Sequence, residues 1–322
     1  FSIKNSNKTR SCSGLIYCKV GNGGKWRKMA QNGLCVVKFC SIIKMFGVMG
    51  NVKNTMNGEN MKVVILASGS KGNATYIETQ NTKLLIDAGI SYQQIKNRLA
   101  QRNIVLNNLD AILVTHEHTD HVKYLVSVAT RTNATIYMSE PTYYCVNQKY
   151  SGGLGNLKVG LIKSNCKYEL NDLIYVPLEL SHDASSCYGY VIKEKCAGNA
   201  TYGYITDTGY IPEQYLSLIS RLQVISLESN HDVAKLKASK RPWPLIKRIL
   251  STEGHLSNLQ CSNYLKDFDF RYVKTVILSH LSEECNSETL AMRAVNEVFD
   301  GDIPCELLIA KQDEPLDVIE VK

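Results

Sequence analysis

Leu113-Val114-Thr115-His116-Glu117-His118-Thr119-Asp120-His121 follows an extended apolar run, residues 109–114, and leads into a helix-like one, residues 122–131. Three histidines and two carboxylates fall within six residues, 116–121, at this strand-to-helix junction. Alternation along the extended chain points His116 and His118 the same way, while Asp120 and His121, where the helix starts, face a second point nearby. Imidazole and carboxylate donors placed so suit two adjacent metal ions, with ligands of the kind zinc and manganese accept. This is not the helical His-Glu-x-x-His zinc motif, because position 120 is Asp where that motif needs its second His. A solvated polar turn would account for the acids, but it leaves three histidines unexplained.

The same pattern recurs along the chain. Apolar runs read as strands at 83–86, 109–114, 173–180, 201–205, 224–227 and 273–278, and they end at Asp87, His116, His182, Asp207, Glu228 and His280 respectively. Further strands are expected at 62–67, 74–78, 135–138, 160–162, 186–192 and 306–310. Helices are expected at 92–102, 235–250 (interrupted by Pro242-Trp243-Pro244), 259–266 and 287–299. All seven histidines, at 116, 118, 121, 182, 231, 255 and 280, lie in the polar junctions. Loops at one edge of a rigid sheet are where such a scaffold carries its chemistry. Asp87, closing a buried strand, is expected to orient its neighbours.

Composition narrows the class. The 322 residues carry a net charge of +7, but residues 1–60 hold ten Lys/Arg against one acid, Glu59. The remainder holds 27 Lys/Arg and 29 acids, so a nucleic-acid role cannot rest on bulk charge. Residues 1–60 read as a basic extension, disordered or upstream of a native start at Met61, and 61–322 as the folded domain. Eleven cysteines show no Cys-x-x-Cys pair, which fits free thiols in a reducing cytoplasm. No apolar stretch is long enough for a membrane span; the nearest, 33–50, is broken by Lys38 and Lys44.

Two stretches are candidates for substrate contact. The turn Ser68-Gly69-Ser70-Lys71-Gly72-Asn73 could present N–H groups to a phosphate, with Ser70 and Asn73 as contacts, or be a tight hairpin using glycine at positive φ. Lys235, Lys237, Lys240, Arg241, Lys247 and Arg248 form a basic run with Trp243 inside it. Cations with a stacking aromatic suit a nucleic-acid groove, with Lys240 and Arg241 as contacts; a solvated helical face is the alternative.

The series Thr115-His116-x-His118-x-Asp120-His121, His182, Asp207 and His280 resembles the metallo-β-lactamase fold superfamily across residues 62–322. The resemblance implies an α/β fold, a four-layer αββα sandwich of two mixed sheets flanked by helices. It implies two divalent ions, Zn²⁺ or Mn²⁺. His116, His118 and His182 would hold one; Asp120, His121 and His280 the other; Asp207 would bridge them, with a hydroxide between the metals as nucleophile. Asp120 or Asp207 would orient that hydroxide. Glu228 and His255 map onto residues that assist the leaving group, or else form an outer pair fixing a ligand. His231 could serve either role, and Asp183 would support His182.

Ala67-Ser-Gly-Ser-Lys-Gly-Asn-Ala74, Glu228-Ser-Asn-His231-Asp, Gly254-His255-Leu-Ser-Asn and His280-Leu-Ser-Glu-Glu-Cys-Asn286 narrow the resemblance to the YycJ/WalJ family. That family implies a single-domain 5′→3′ exonuclease, with DNA favoured over RNA as partner; the sequence does not set the oligomeric state, monomer or homodimer. Asp207 and His280 lie too close in sequence for a β-CASP clamping domain. The rival readings are a small-molecule hydrolase of the glyoxalase II or lactonase type, and a tRNase Z-like RNA-processing nuclease. A metal-stabilised, non-catalytic module is a further one.

Overall fold

The computed structural model describes residues 60–150, 153–195 and 200–322, with two short strands, β1 (Tyr17–Cys18) and β2 (Arg27–Lys28), that pair antiparallel. Apart from those strands and Asn60, the basic extension expected over residues 1–60 lies outside the described residues. Two seven-stranded sheets follow. The first contains β3 (Met61–Ala67), β4 (Ala74–Glu78), β5 (Lys83–Ile86), β6 (Ala111–Leu113), β7 (Thr135–Met138), β8 (Val159–Leu161) and β16 (Ile319–Val321). The second contains β9 (Tyr168–Leu170), β10 (Leu173–Leu180), β11 (Cys187–Glu194), β12 (Thr201–Ile205), β13 (Val224–Glu228), β14 (Thr275–Ser279) and β15 (Glu306–Ile309).

The strands are nearly continuous apolar runs because both faces of each sheet are covered. Along β3, Val63 and Ile65 point between the sheets, where they join Tyr175, Tyr190, Tyr202 and Ile277 of the second sheet. Val64 and Leu66 point outward, onto Ile95 and Leu99 of helix Tyr92–Ala100 and Val128 of helix Leu125–Thr132. The outer face of the second sheet is packed likewise, by helices Glu213–Ile219, Asn258–Leu265 and Glu288–Val298. The four-layer αββα architecture expected above is therefore present.

The two sheets share one plan. Taken from β16 in the first and β9 in the second, each has three antiparallel pairings followed by three parallel ones. β5 thus corresponds to β12, and the loops after them, Asp87-Ala88-Gly89 and Asp207-Thr208-Gly209, carry the same Asp-x-Gly. Parallel strands place their carboxyl ends at one edge, the position where open α/β sheets build their sites.

Two expected helices are divided, and four elements of residues 61–322 were not expected: β9, β16 and the helices Glu140–Lys149 and Glu213–Ile219. Residues 122–131 belong to two helices, Thr119–Val122 and Leu125–Thr132. Residues 235–250 also split, into Val233–Lys237 and Trp243–Ile249, because Pro242 and Pro244 are tolerated only around a first helical turn. The C-terminal strand β16 closes the first sheet against β3. Among the described residues no helix is long and apolar enough to cross a membrane.

Candidate metal centre

Each candidate ligand leaves the end of a strand or the start of a helix. His116 and His118 follow β6; Asp120 and His121 lie in helix Thr119–Val122; His182 follows β10, Asp207 follows β12 and His280 follows β14. The loops are pinned from the opposite sheet: Tyr190 Oη donates to Val114 O at 2.6 Å, and Tyr188 N to Thr115 O at 3.0 Å. Asp87, Asp207 and His280 have φ of 61°, 60° and 58°. Left-handed backbone at residues other than glycine is uncommon and gathers where surrounding structure holds side chains to a task.

The structure brings all seven expected ligands together. Donor atoms of His116, His118 and His182 lie within 4.8 Å of one another; so do those of His116, His121 and Asp207, and those of Asp120, His121 and His280. A fourth such group is Asp207, Glu228, His255 and His280. His121 Nε2 stands 3.3 Å from Asp120 Oδ2 and 3.5 Å from Asp207 Oδ2, and His280 Nε2 is 3.7 Å from Asp120 Oδ2.

The chemistry of these atoms fits a cation. Nε2 of His116, of His182 and of His280 and Oδ2 of Asp207 are buried without a hydrogen-bond partner. Buried polar atoms are almost always paired, so four converging orphans mark a place for a ligand to them all. Charge points the same way. Burial and the neighbouring imidazoles push His116 well below its ordinary value. Burial also opposes charge on His121 and His280, yet the facing carboxylates outweigh it. Asp120, Asp207 and Asp87 hold His121 well up, and Asp207, Asp120 and Glu228 raise His280 to about 10. Protons there balance a crowd of carboxylates, and a divalent cation would offer positive charge to the same atoms.

Behind these atoms lies a layer that fixes the rings. Asp87 Oδ2 receives His121 Nδ1 at 2.7 Å, and its Oδ1 accepts Thr115 N–H at 2.8 Å. Glu228 Oε1 faces two rings, His255 Nδ1 at 2.7 Å and His280 Nδ1 at 3.1 Å, while Oε2 accepts Thr208 N–H at 2.9 Å. His182 Nδ1 meets Gly254 O at 3.1 Å. Metal-bound histidines characteristically give their second nitrogen to such acceptors. His255 stacks on His280, with ring centroids 5.4 Å apart.

Other expected residues fall elsewhere. Asp183 sits on the Nε2 side of His182, 3.3 Å away, and is held by Arg248. His231 is buried outside the four groups, with neither ring nitrogen partnered. Ser70 is exposed, whereas Asn73 is fully buried. Asn73 Nδ2 lies 3.2 Å from Asp120 Oδ2 and 3.1 Å from His121 Nε2, so it positions candidate ligands from inside the loop. Lys240 is exposed, and Arg241 Nε is taken by Glu284 at 3.0 Å.

Sequence reading missed Thr115, the Gly254 carbonyl and Glu117. The Glu117 carboxylate accepts both Ser185 N (2.7 Å) and Ser185 Oγ (2.9 Å), tying the first loop to the one that carries His182. The signal for Glu117 was its place between two ligands; the backbone carbonyl left none.

Comparison with known proteins agrees with this geometry. Residues 82–281 match the model of the Beta-lactamase superfamily domain, from β5 to just past His280. The chain is 34% identical over 250 residues to Exodeoxyribonuclease WalJ of Streptococcus pneumoniae serotype 2, covering 77% of this chain and 92% of that protein. It is 32% identical over 245 residues to Exodeoxyribonuclease YycJ of Bacillus anthracis, covering 73% and 88%. Among solved structures, the metallo-beta-lactamase fold protein YhfI from Bacillus subtilis superposes with a TM-score of 0.61 at 15% identity, over 80% of this chain and 99% of that one.

Proposed function

The chain belongs to the β-lactamase superfamily and, within it, to the WalJ/YycJ family, and on that footing we propose that it is a metal-dependent phosphodiesterase that degrades DNA from its 5′ end. The observation that carries this reading is the convergence of unpartnered Nε2 and Oδ2 atoms from His116, His182, His280 and Asp207. The substrate follows the relatives, whose names specify exodeoxyribonuclease.

His116, His118 and His182 would hold one ion, Asp120, His121 and His280 a second, with Asp207 between them. Zn²⁺ and Mn²⁺ both suit imidazole with carboxylate. Bound there, two ions supply an acidified water and positive charge against the phosphate. The protein's own groups do the rest. Asp120, more open than Asp207, orients the attacking oxygen. Glu228 fixes His255 through Nδ1 and leaves Nε2 to pass a proton to the departing sugar oxygen, a step typically contributing ~10²–10⁴-fold. Buried thiols at Cys187, Cys261 and Cys285, in no disulfide, fit a reducing compartment, and we place the enzyme in the cytoplasm.

The test is an assay of metal-loaded protein on DNA and RNA labelled at either end, beside thioester and lactone substrates. Successive release of nucleotides from the 5′ end of DNA is expected, and a His255→Ala variant should lose about 10²-fold or more in kcat while keeping its metal. Intact DNA together with hydrolysed thioester or lactone would assign the site to a small-molecule hydrolase.

A further inference from the structure

The helix Trp243–Ile249, whose C-terminal end joins the loop that carries His255, exposes an indole that neither its packing nor the chemistry above requires. Trp243 is 55% exposed. The helix is anchored by its other side, where Ile246 and Ile249 pack with Leu236 and Cys285. Pro242 and Pro244 flank the indole and restrict the backbone that carries it. Trp243, Lys247 and Leu250 follow one another at i, i+4 and i+7, all exposed, forming one stripe along the helix.

That stripe ends at the site. His255 N donates to Ile249 O at 3.0 Å, and Arg248 reaches Asp183, beside His182. Six residue steps separate Trp243 from Ile249, which puts the backbone of Trp243 about 9 Å along the helix from this junction. Positive charge gathers around the same helix. Lys237, Lys240 and Lys247 are exposed and form no ion pair among the described residues, while Arg241 is engaged by Glu284.

We propose that Trp243 is a stacking platform for a base of the single strand adjacent to the cleaved linkage, with Lys240 and Lys247 tracking its phosphates. The proposal rests on the phosphodiesterase reading. An exposed aromatic with unpaired cations is the combination that binds single strands without regard to sequence.

The experiment compares the full-length, metal-loaded wild type with Trp243→Ala, Trp243→Phe and the double variant Lys240→Ala/Lys247→Ala. Two substrates are used, a labelled single-stranded oligonucleotide and the small diester bis(p-nitrophenyl) phosphate. The small diester should be hydrolysed equally by all four. On DNA, Trp243→Ala should raise KM about tenfold with kcat little changed, and Trp243→Phe should recover most of the loss. The double lysine variant should flatten the dependence of binding on salt. Oligonucleotides lacking a single base should reveal one position whose loss harms the wild type but not Trp243→Ala.

Unchanged DNA cleavage by Trp243→Ala overturns the proposal, as does an equal fall on both substrates, which would mean a structural role. A wild type that cleaves the small diester but no DNA removes this docking surface and leaves the metal centre standing. A wild type inert to both removes the phosphodiesterase reading itself, and the platform with it.

Discussion

At Asp87 one carboxylate serves three partners: His121 Nδ1, Thr115 N–H and the Thr115 hydroxyl. Burial pushes its carboxyl up, against the pull of His121. Asp87→Ala would leave those groups buried and unpaired, at a cost of about 3–5 kcal/mol, the range for breaking a buried ion pair. Loosening His121 should also cost about 10–100-fold in metal affinity. Titration with Mn²⁺ or Zn²⁺ beside a denaturant melt checks both. Far from the centre, burial lifts Glu194 to about 7, with Asp172 adding to the rise and Met61 N–H opposing it. Its folded value lies above its unfolded 4.5, so its contribution is complete below pH 4.5 and is lost as pH rises through 7. The melting temperature of the wild type, relative to Glu194→Gln, should therefore fall by a few degrees between pH 5 and 8, roughly the shift expected of a kcal/mol-scale term. Parallel profiles would contradict it.

Loops and their supports are the next scale. At Gly89 an added Cβ would lie 1.7 Å from Asp120 O and 2.5 Å from Asn73 N, the two atoms that share a 2.8 Å hydrogen bond. At Gly209, its counterpart after β12, a Cβ would come within 2.3 Å of Thr252. Gly89→Ala should displace Asp120, lowering metal occupancy and stability by about 1–3 kcal/mol, as overpacking does. Elemental analysis and thermal melts would detect this. These glycines show why the strand-end pattern could be read in sequence. Each apolar run stops at an Asp, Glu or His because the chain turns there into the site, and Asp-x-Gly marks two of the turns. Other elements were illegible for physical reasons. β16 is three residues, too short for alternation to show, and exists through pairing with β3. Helix Glu140–Lys149 contains Tyr143, Tyr144, Cys145 and Val146, residues with weak helix preference, and is set by Ser139 capping Thr142 N and by packing. The left-handed backbone at Asp87, Asp207 and His280 carried only a weak signature: Asp and His are enriched in that region, but most of them in any chain lie elsewhere.

Across the whole molecule, two sheets of one plan bring separate lengths of chain to a shared edge, and the candidate ligands come from both. His116, His118, Asp120 and His121 belong to the first sheet's loops; His182, Asp207 and His280 belong to the second's. A bound cation therefore bridges the halves, and metal should stabilise the fold by mass action, ~2.7 kcal/mol at a concentration of 100 Kd. Chelation should lower the melting temperature and abolish hydrolysis, and readdition should restore both. The most direct measurement is metal content of the purified, reconstituted protein by elemental analysis, for the wild type and for His116→Ala and His280→Ala. Two divalent ions per chain, with occupancy falling in each variant, is the result this arrangement of side chains predicts. A wild type that binds no transition metal after reconstitution would contradict it.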